Sequence, residues 1–140
     1  MLMTRLKLRS PKYLIPYLIQ SEQIITQIVV SQGFLKGKIL ATLGLSMWTA
    51  TLWSDRDASY AFHLRGKHQN SMPLFRDWAE EAVLGVQTIS SEQLPSWSHI
   101  AKKLEEIGHF YRLDRCSENH LNQIIPTPKI PIYIQLFSKI

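Results

Sequence analysis

Residues 34–72 constrain the fold of this chain more than any other stretch. An apolar run ends near Gly44 and Ser46, and a second run, residues 47–53, follows at once and is rich in aromatic and β-branched residues. Two such runs joined by a few residues that include glycine predict an antiparallel pair of strands. The middle of the chain is therefore predicted to form a β-hairpin.

A helical segment is predicted directly after the hairpin. Ser54 and Asp57 have the residue types and the spacing that cap the start of a helix, and apolar residues recur at helical spacing after them. Gly66 predicts the end of this helix because glycine readily takes the left-handed conformation. His68 lies beyond the break, and Pro73 marks the start of a new helix.

The flanking segments complete a small α+β domain. Residues 4–10 alternate as a strand, residues 11–32 form an apolar stripe at helical period, and residues 82–89 form a further strand. The predicted order is β-α-β-β-α-β, the ferredoxin-like arrangement, in which helices cover one face of the sheet. The other face is apolar, and a second copy of the sheet is its simplest cover. The sequence therefore predicts a homodimer.

The C-terminal part of the chain is predicted to extend this domain. A helix begins near Trp97 and ends at Gly108, and residues 109–115 are predicted to form an extra strand, so that residues 1–116 make a single domain. Residues 117–140 form a proline-containing tail whose last residues are apolar and alternate as in a strand. This tail is predicted to be extended and to pack on a sheet edge or on a partner subunit.

Composition and charge narrow the class of protein. The chain is 45% hydrophobic and 19% charged, which is enough to bury a core. The net charge of +5 comes without a cluster of Lys and Arg, which argues against nucleic-acid binding. Polar residues 20–23 interrupt the longest apolar stretch and argue against a membrane span. The single cysteine, Cys116, excludes an internal disulfide and, with the absence of a signal-peptide pattern, favours a cytoplasmic location.

The central stretch resembles a known superfamily. The residues that carry the likeness are Gly37, Trp48, Thr49, Leu52, Trp53, Ser54, Asp55, Ala61, Phe62, Gly66, His68 and Met72. They resemble the dimeric α+β barrel superfamily that contains the antibiotic-biosynthesis monooxygenases, and within it spheroidene monooxygenase and a related group of small proteins. The resemblance implies a dimeric α+β barrel and a monooxygenase-like protein that binds or oxidises a small apolar or aromatic metabolite. A non-catalytic dimeric binding or scaffold domain is the alternative, because this fold hosts unrelated chemistries.

The resemblance also implies a site. It places His68 near the mouth of a cavity between helices and sheet, as a hydrogen-bonding or acid–base residue. The alternative is a structural histidine that orders the break at Gly66. Four further residues are predicted to line the cavity, with core packing as the alternative for the aromatic ones: Trp48, Trp53, Phe62 and Met72. His63 is expected to be exposed, and no spacing of ligand residues predicts a metal.

Haem-degrading members of the superfamily provide a further test. They use an Asn on the first strand, a Trp on the second helical segment and a haem-ligating His further along it. In this chain Phe62 stands at the position of that Trp and Met72 at the position of that His, and the first strand has no Asn. The sequence therefore predicts neither haem nor another cofactor.

The first strand has an unusual charge pattern. Arg5, Lys7 and Arg9 alternate with apolar residues, which conflicts with a wholly apolar sheet face. We expect these cations either to reach solvent at the end of the sheet or to meet an anion or the carboxylates of a partner.

Overall fold

The computed structural model describes residues 1–140 as a mixed α+β fold with a six-stranded antiparallel sheet. The strands are β1 (Leu2–Leu8), β2 (Phe34–Thr42), β3 (Ser46–Trp53), β4 (Ala79–Val86), β5 (His109–Phe110) and β6 (Pro131–Ser138). The α-helices are α1 (Leu14–Val29), α2 (Arg56–His63), α3 (Gly66–Trp78), α4 (Trp97–Ile107) and α5 (Glu118–Leu121). A short 3-10 helix, Pro11–Tyr13, precedes α1.

The sheet has the strand order β5-β4-β1-β3-β2-β6. The predicted hairpin is present as β2 and β3, with Leu40 opposite Trp48. Strand β1 lies between β3 and β4, so that Thr4 faces Thr49 on one side and Leu84 on the other. From β1 to β4 the elements follow the predicted order, β-α-β-β-α-β with the second helical segment in two parts.

Helices α1, α2 and α3 cover one face of the sheet, which we call the helix face. Because side chains alternate along a strand, this face carries every second residue of β1, from Leu2 to Leu8. Leu2 and Trp53 pack there with Phe62 of α2 and Ile28 of α1. Helix α1 buries only Ile28 fully, so its apolar stripe rests loosely on the sheet.

Helix α4 covers the opposite face, which we call the α4 face. Met3 and Trp48 of the sheet pack there with Ile100 and Leu104 of α4, and Ile125 from the tail joins this cluster. The prediction that this face lacks a cover within the chain is therefore wrong. Because α4 folds back onto the sheet, an open apolar face is no longer a reason to expect a second copy.

The cations of the first strand are paired within the chain. Arg5 is buried and bonded to Glu81, and Lys7 is bonded to Glu80, both of β4. Arg9 lies 3.3 Å from the carboxylate of Asp77. These cations therefore need neither the end of the sheet nor a partner's carboxylates.

The boundaries of the second helical segment differ from the prediction. Asp55, not Ser54, caps α2 by accepting a hydrogen bond of 2.8 Å from the amide of Ala58. Gly66 has a φ of 61°, as expected at a break, but α3 begins at that residue and continues through Pro73. Packing of α3 against α1, where Ser71 is fully buried, overrides the local preference of proline for a helix start.

The C-terminal segment is more structured than predicted. Strand β5 spans two residues instead of 109–115, and α5 is a short helix that the sequence pattern did not indicate. Strand β6 pairs antiparallel with β2, with Ile134 opposite Leu40. The prediction that the tail packs on a sheet edge is confirmed, and the edge belongs to this chain.

Candidate functional site

Two neighbouring cavities remain between the helices and the sheet on the helix face. Their volumes are about 210 Å³ and about 150 Å³. Both are lined by Thr4 of β1, Tyr17 of α1 and the α3 residues His68 and Phe75, so these four residues form the wall between them.

The larger cavity is mainly apolar. One side consists of α1, including Leu18 and Ile25, and the floor includes Ile39 of β2. Its outer rim is formed by β6 through Tyr133 and Phe137. Because α1 packs loosely, this cavity resembles a groove that runs along the sheet towards the β6 edge.

The polar groups on the floor of the larger cavity are short and satisfy one another. Thr4 and Thr49 face each other across β1 and β3, and their hydroxyls are hydrogen-bonded. Thr51 accepts a hydrogen bond of 2.9 Å from the indole nitrogen of Trp53. The floor therefore presents small side chains with paired hydroxyls, which leaves space without an unsatisfied charge.

The smaller cavity contains the histidines. His68 and Met72 are four residues apart on α3 and therefore lie on the same side of that helix. His63 ends α2, and the positive φ of Gly66 lets the chain turn into α3 within a few residues. This turn brings the rings of His63 and His68 to a centroid distance of 4.3 Å.

His68 is held as a neutral imidazole with a defined tautomer. Its Nδ1 lies 3.2 Å from the backbone oxygen of His63, and because a carbonyl only accepts, Nδ1 carries the hydrogen. Nε2 therefore has the lone pair of the ring. Burial lowers the pKa of His68 to about 4, and electrostatic interaction with the imidazole of His63 is the second cause, because two protonated rings this close would repel each other. At neutral pH, Nε2 is an uncharged acceptor beside the cavities.

His63 is half-buried, so the prediction that it is exposed is wrong. Its Nε2 lies 3.5 Å from the hydroxyl of Tyr111, and its Nδ1 is buried without a partner. Burial lowers the pKa of His63 and raises the pKa of Tyr111, so both groups are held neutral. The cluster of His63, His68 and Tyr111 thus brings polar atoms to the cavity wall without adding net charge.

The structure brings together most of the residues that the sequence predicted for the site. Met72 lines the smaller cavity and Phe62 the larger, and the rings of Phe62 and His68 lie edge to face with their centroids 5.3 Å apart. Trp53 stacks behind Phe62 at 5.3 Å and supports it without lining either cavity. Trp48 is buried on the α4 face, with the guanidinium of Arg5 above its ring at 5.1 Å.

Sequence reasoning missed part of the cavity lining. Tyr17 was visible as a member of the apolar stripe of α1, and its large, polar-tipped ring was the signal that could have marked it. Tyr111 follows the short strand β5 and reaches the site only through the tertiary fold. His63 was missed because two residues five apart on one continuous helix would lie on different sides of it. The turn at Gly66 instead brings His63 and His68 together.

Comparisons with known proteins supply no relative from which a role could be transferred. The chain matches no family model, no curated protein and no solved structure. None of the helices has both the length and the apolar character that crossing a bilayer requires. The function is therefore inferred from the cavities and the histidine cluster.

Proposed function

We propose that this protein binds a small, apolar, aromatic metabolite in the cavities of the helix face and oxidises it in a monooxygenase-like reaction. The observation that carries the proposal is a mainly apolar cavity with a neutral imidazole acceptor, His68 Nε2, at its wall. A fold that needed His68 only for structure would be expected to fill this space with side chains.

The lining of the larger cavity favours an uncharged ligand. Its walls are mainly aliphatic and aromatic, and the histidines are held neutral by burial. An anionic ligand would lose its hydration there without gaining a counter-charge, which is costly in an apolar site, because the arginines Arg5, Arg76 and Arg112 line only the smaller cavity. An aromatic ligand suits this lining, in which Phe75 and Tyr17 come from the helices and short threonines come from the sheet.

The acceptor on His68 selects for a ligand with a hydroxyl or N–H group. Nε2 can accept that hydrogen and, in a reaction with O2, can act as the base that removes it. A phenolic ligand then supplies all four electrons: one oxygen atom of O2 enters the ring to give a quinone, and the other leaves as water. The hydroxyl of Tyr111 is a second polar group in the smaller cavity and can orient the same end of the ligand. His68 is thus proposed as the catalytic residue, with Phe62 and Met72 as ligand contacts and Trp53 as a support for Phe62.

The fold assignment is part of the same proposal. The strand order β4-β1-β3-β2, with α1, α2 and α3 on one face, fits a ferredoxin-like unit, to which β5, β6, α4 and α5 are additions. The likeness to the dimeric α+β barrel superfamily agrees with a cavity between helices and sheet. No cofactor is included in the proposal.

A non-catalytic role has one specific observation in its favour. The hydrogen bond from His68 to the backbone of His63 ties α3 to the last residue of α2, as a structural histidine would. In that case the cavity can still hold a ligand, but His68 contributes stability rather than chemistry.

Two related probes test the proposal: 2-naphthol, which has a hydroxyl donor, and 2-methoxynaphthalene, which lacks it. In calorimetric titrations, His68→Leu should weaken 2-naphthol binding about tenfold, the loss of roughly one hydrogen bond, and leave 2-methoxynaphthalene binding unchanged. His99→Leu, an exposed histidine on α4, is the matched control. Absence of binding of either probe to the natural chain would contradict the proposal.

Oxygen consumption distinguishes oxidation from binding alone. With 2-naphthol present, consumption that requires the folded protein and is lost in His68→Leu supports a monooxygenase-like reaction. Binding of both probes without consumption, together with a lower melting temperature of His68→Leu, supports the non-catalytic alternative.

A further inference from the structure

Strand β6 leaves an apolar sheet edge uncovered. It is the last strand in the sheet order and pairs only with β2. Three of its side chains on the α4 face are largely exposed: Ile132 by 56%, Ile134 by 59% and Leu136 by 76%. On the other face Tyr133 is 52% exposed. Both faces of this edge therefore present apolar side chains to solvent.

The two edges of the sheet differ in the protection they have. The edge at β5 spans two residues, and short edge strands pair poorly with other chains. Strand β6 spans eight residues and contains no charged side chain, while Lys129 and Lys139 lie just outside it. Apart from Pro131 and a register irregularity beside Ile132, both at its start, it has none of the features that prevent edge-to-edge association. This long, uncharged edge is suited to pairing with another strand.

We propose that β6 pairs antiparallel with β6 of a second copy of this chain, which joins the two sheets into one across a two-fold axis. A two-fold axis normal to the sheet keeps each face matched to itself. Ile132, Ile134 and Leu136 then meet the same three residues of the second copy, and no like charges face each other within the strand. The second copy thus supplies both the backbone hydrogen bonds and the apolar cover that the edge lacks.

The extent of the exposed residues along β6 agrees with this occupant. Ile130 and Ile140 at the two ends of β6 are 63% and 89% exposed and extend the patch along the whole strand. A contiguous apolar patch of roughly 300–600 Å² is the largest found on a typical monomer and is often an interaction site. Pairing of identical strands covers this patch over its full length.

The proposed interface also borders the larger cavity. Tyr133, Gln135 and Phe137 form the rim of that cavity, and Phe137 is fixed by stacking on Phe34 at 5.6 Å. A second copy at this edge would stand beside the mouth of each cavity and limit access of solvent. This dimer differs from one formed by sheet faces, and it leaves α4 in place.

Sedimentation velocity at several micromolar concentrations tests this inference on the full chain. We expect the natural chain to sediment as a dimer and Ile134→Lys to sediment as a monomer, because the substitution places two ammonium groups across the axis. Ile15→Lys is the matched control, since Ile15 is 65% exposed on α1, and its dimer should persist. Circular dichroism confirms that each variant is folded, and Leu136→Lys replaces Ile134→Lys if that variant does not fold.

The outcomes separate clearly. A natural chain that remains monomeric at the highest concentration, or a dimer that persists in folded Ile134→Lys and Leu136→Lys, would overturn the inference. Growth into polymers would also overturn it, because a closed two-fold pair stops at two copies. Titration of 2-naphthol into the monomeric variant tests the proposed function separately. Loss of pairing and loss of ligand binding can therefore be told apart.

Discussion

The two faces of the central sheet are closed to different degrees. On the α4 face, Met3, Trp48, Ile100 and Leu104 have no exposed surface, and the helix and the sheet are in full contact. On the helix face, three helices cover the sheet and still leave cavities of about 210 Å³ and about 150 Å³. The number of covering helices therefore does not determine how well a face is packed.

Side-chain volume explains the difference. Trp48 fills the centre of the α4 face, and Gly85 lets α4 approach the sheet so closely that a Cβ at that position would lie 3.1 Å from Leu104. On the helix face the corresponding central positions are Thr4 and Thr49, which are too short to reach α1. Large residues opposite small ones close one face, and small residues beneath a loosely packed helix leave room for a ligand on the other.

The two ion pairs between β1 and β4 also differ in burial, and the largest loss of stability is expected when the buried pair is broken. Glu81→Ala would leave Arg5 buried without its partner, so we expect a loss of about 3–5 kcal/mol in the free energy of unfolding. Glu80→Ala removes the partly exposed bond to Lys7 and should cost less than about 1 kcal/mol. Urea denaturation of both variants measures the difference, and equal losses would show that burial of the Arg5 pair has no special weight.

Truncation of one apolar residue on each face tests the packing directly. Leu104→Ala on the α4 face should lower the free energy of unfolding by about 2–5 kcal/mol, because it opens a cavity in a filled core. Ile25→Ala on α1 removes a half-buried side chain beside an existing cavity and should cost about 1 kcal/mol. Denaturant titration checks both values. A loss at Ile25 as large as that at Leu104 would contradict the view that the helix face is loosely packed.

The neutral histidines should make the stability of the helix face depend on pH. The pKa of His68 is about 4 in the native state, below the ordinary value of 6.5, so the unfolded chain binds more protons between these pH values. The stabilising contribution is complete above pH 6.5 and is lost as the pH falls towards 4. In His68→Gln the decrease in stability over this range should be smaller. Melting temperatures measured from pH 7 to pH 4 test this, and parallel curves for both proteins would contradict it.

The smallest effect on ligand binding is expected for Trp48, which lies on the α4 face, opposite the cavities. Trp48→Phe should lower stability because Trp48 fills the α4 face, but it should change the Kd for 2-naphthol by less than about twofold, or about 0.4 kcal/mol. Met72→Ala, which alters the lining of the smaller cavity, is the comparison. Calorimetric titration at matched temperature measures both, and a large change in Kd for Trp48→Phe would place that residue in the site after all.

The sequence by itself determined the local elements and their order. Aromatic and β-branched runs separated by Gly44 specified the hairpin, the apolar stripe specified α1, and alternation after Pro131 specified a strand in the tail. These features depend on local preference and on a periodicity of two or 3.6 residues, both of which can be read from a single chain. The likeness to a superfamily indicated Phe62, His68 and Met72 as site residues; in the structure Phe62 lines the larger cavity, Met72 the smaller and His68 both, and their role stays a prediction.

Only the tertiary structure decided which surfaces meet. An apolar sheet face and an amphipathic helix such as α4 are both visible in the sequence, but their contact depends on a loop path that periodicity does not encode. The position of Trp48 relative to the cavity was also decided by the tertiary structure. Trp48 and Trp53 are five residues apart on one strand, so alternation places them on opposite faces of the sheet, but it does not say which face has the cavity. His63 and His68 lie together because the chain turns at Gly66. Helix α3 continues through Pro73, against the local preference of proline. Packing energy summed over many contacts exceeds such local preferences, and it exists only once the fold has formed.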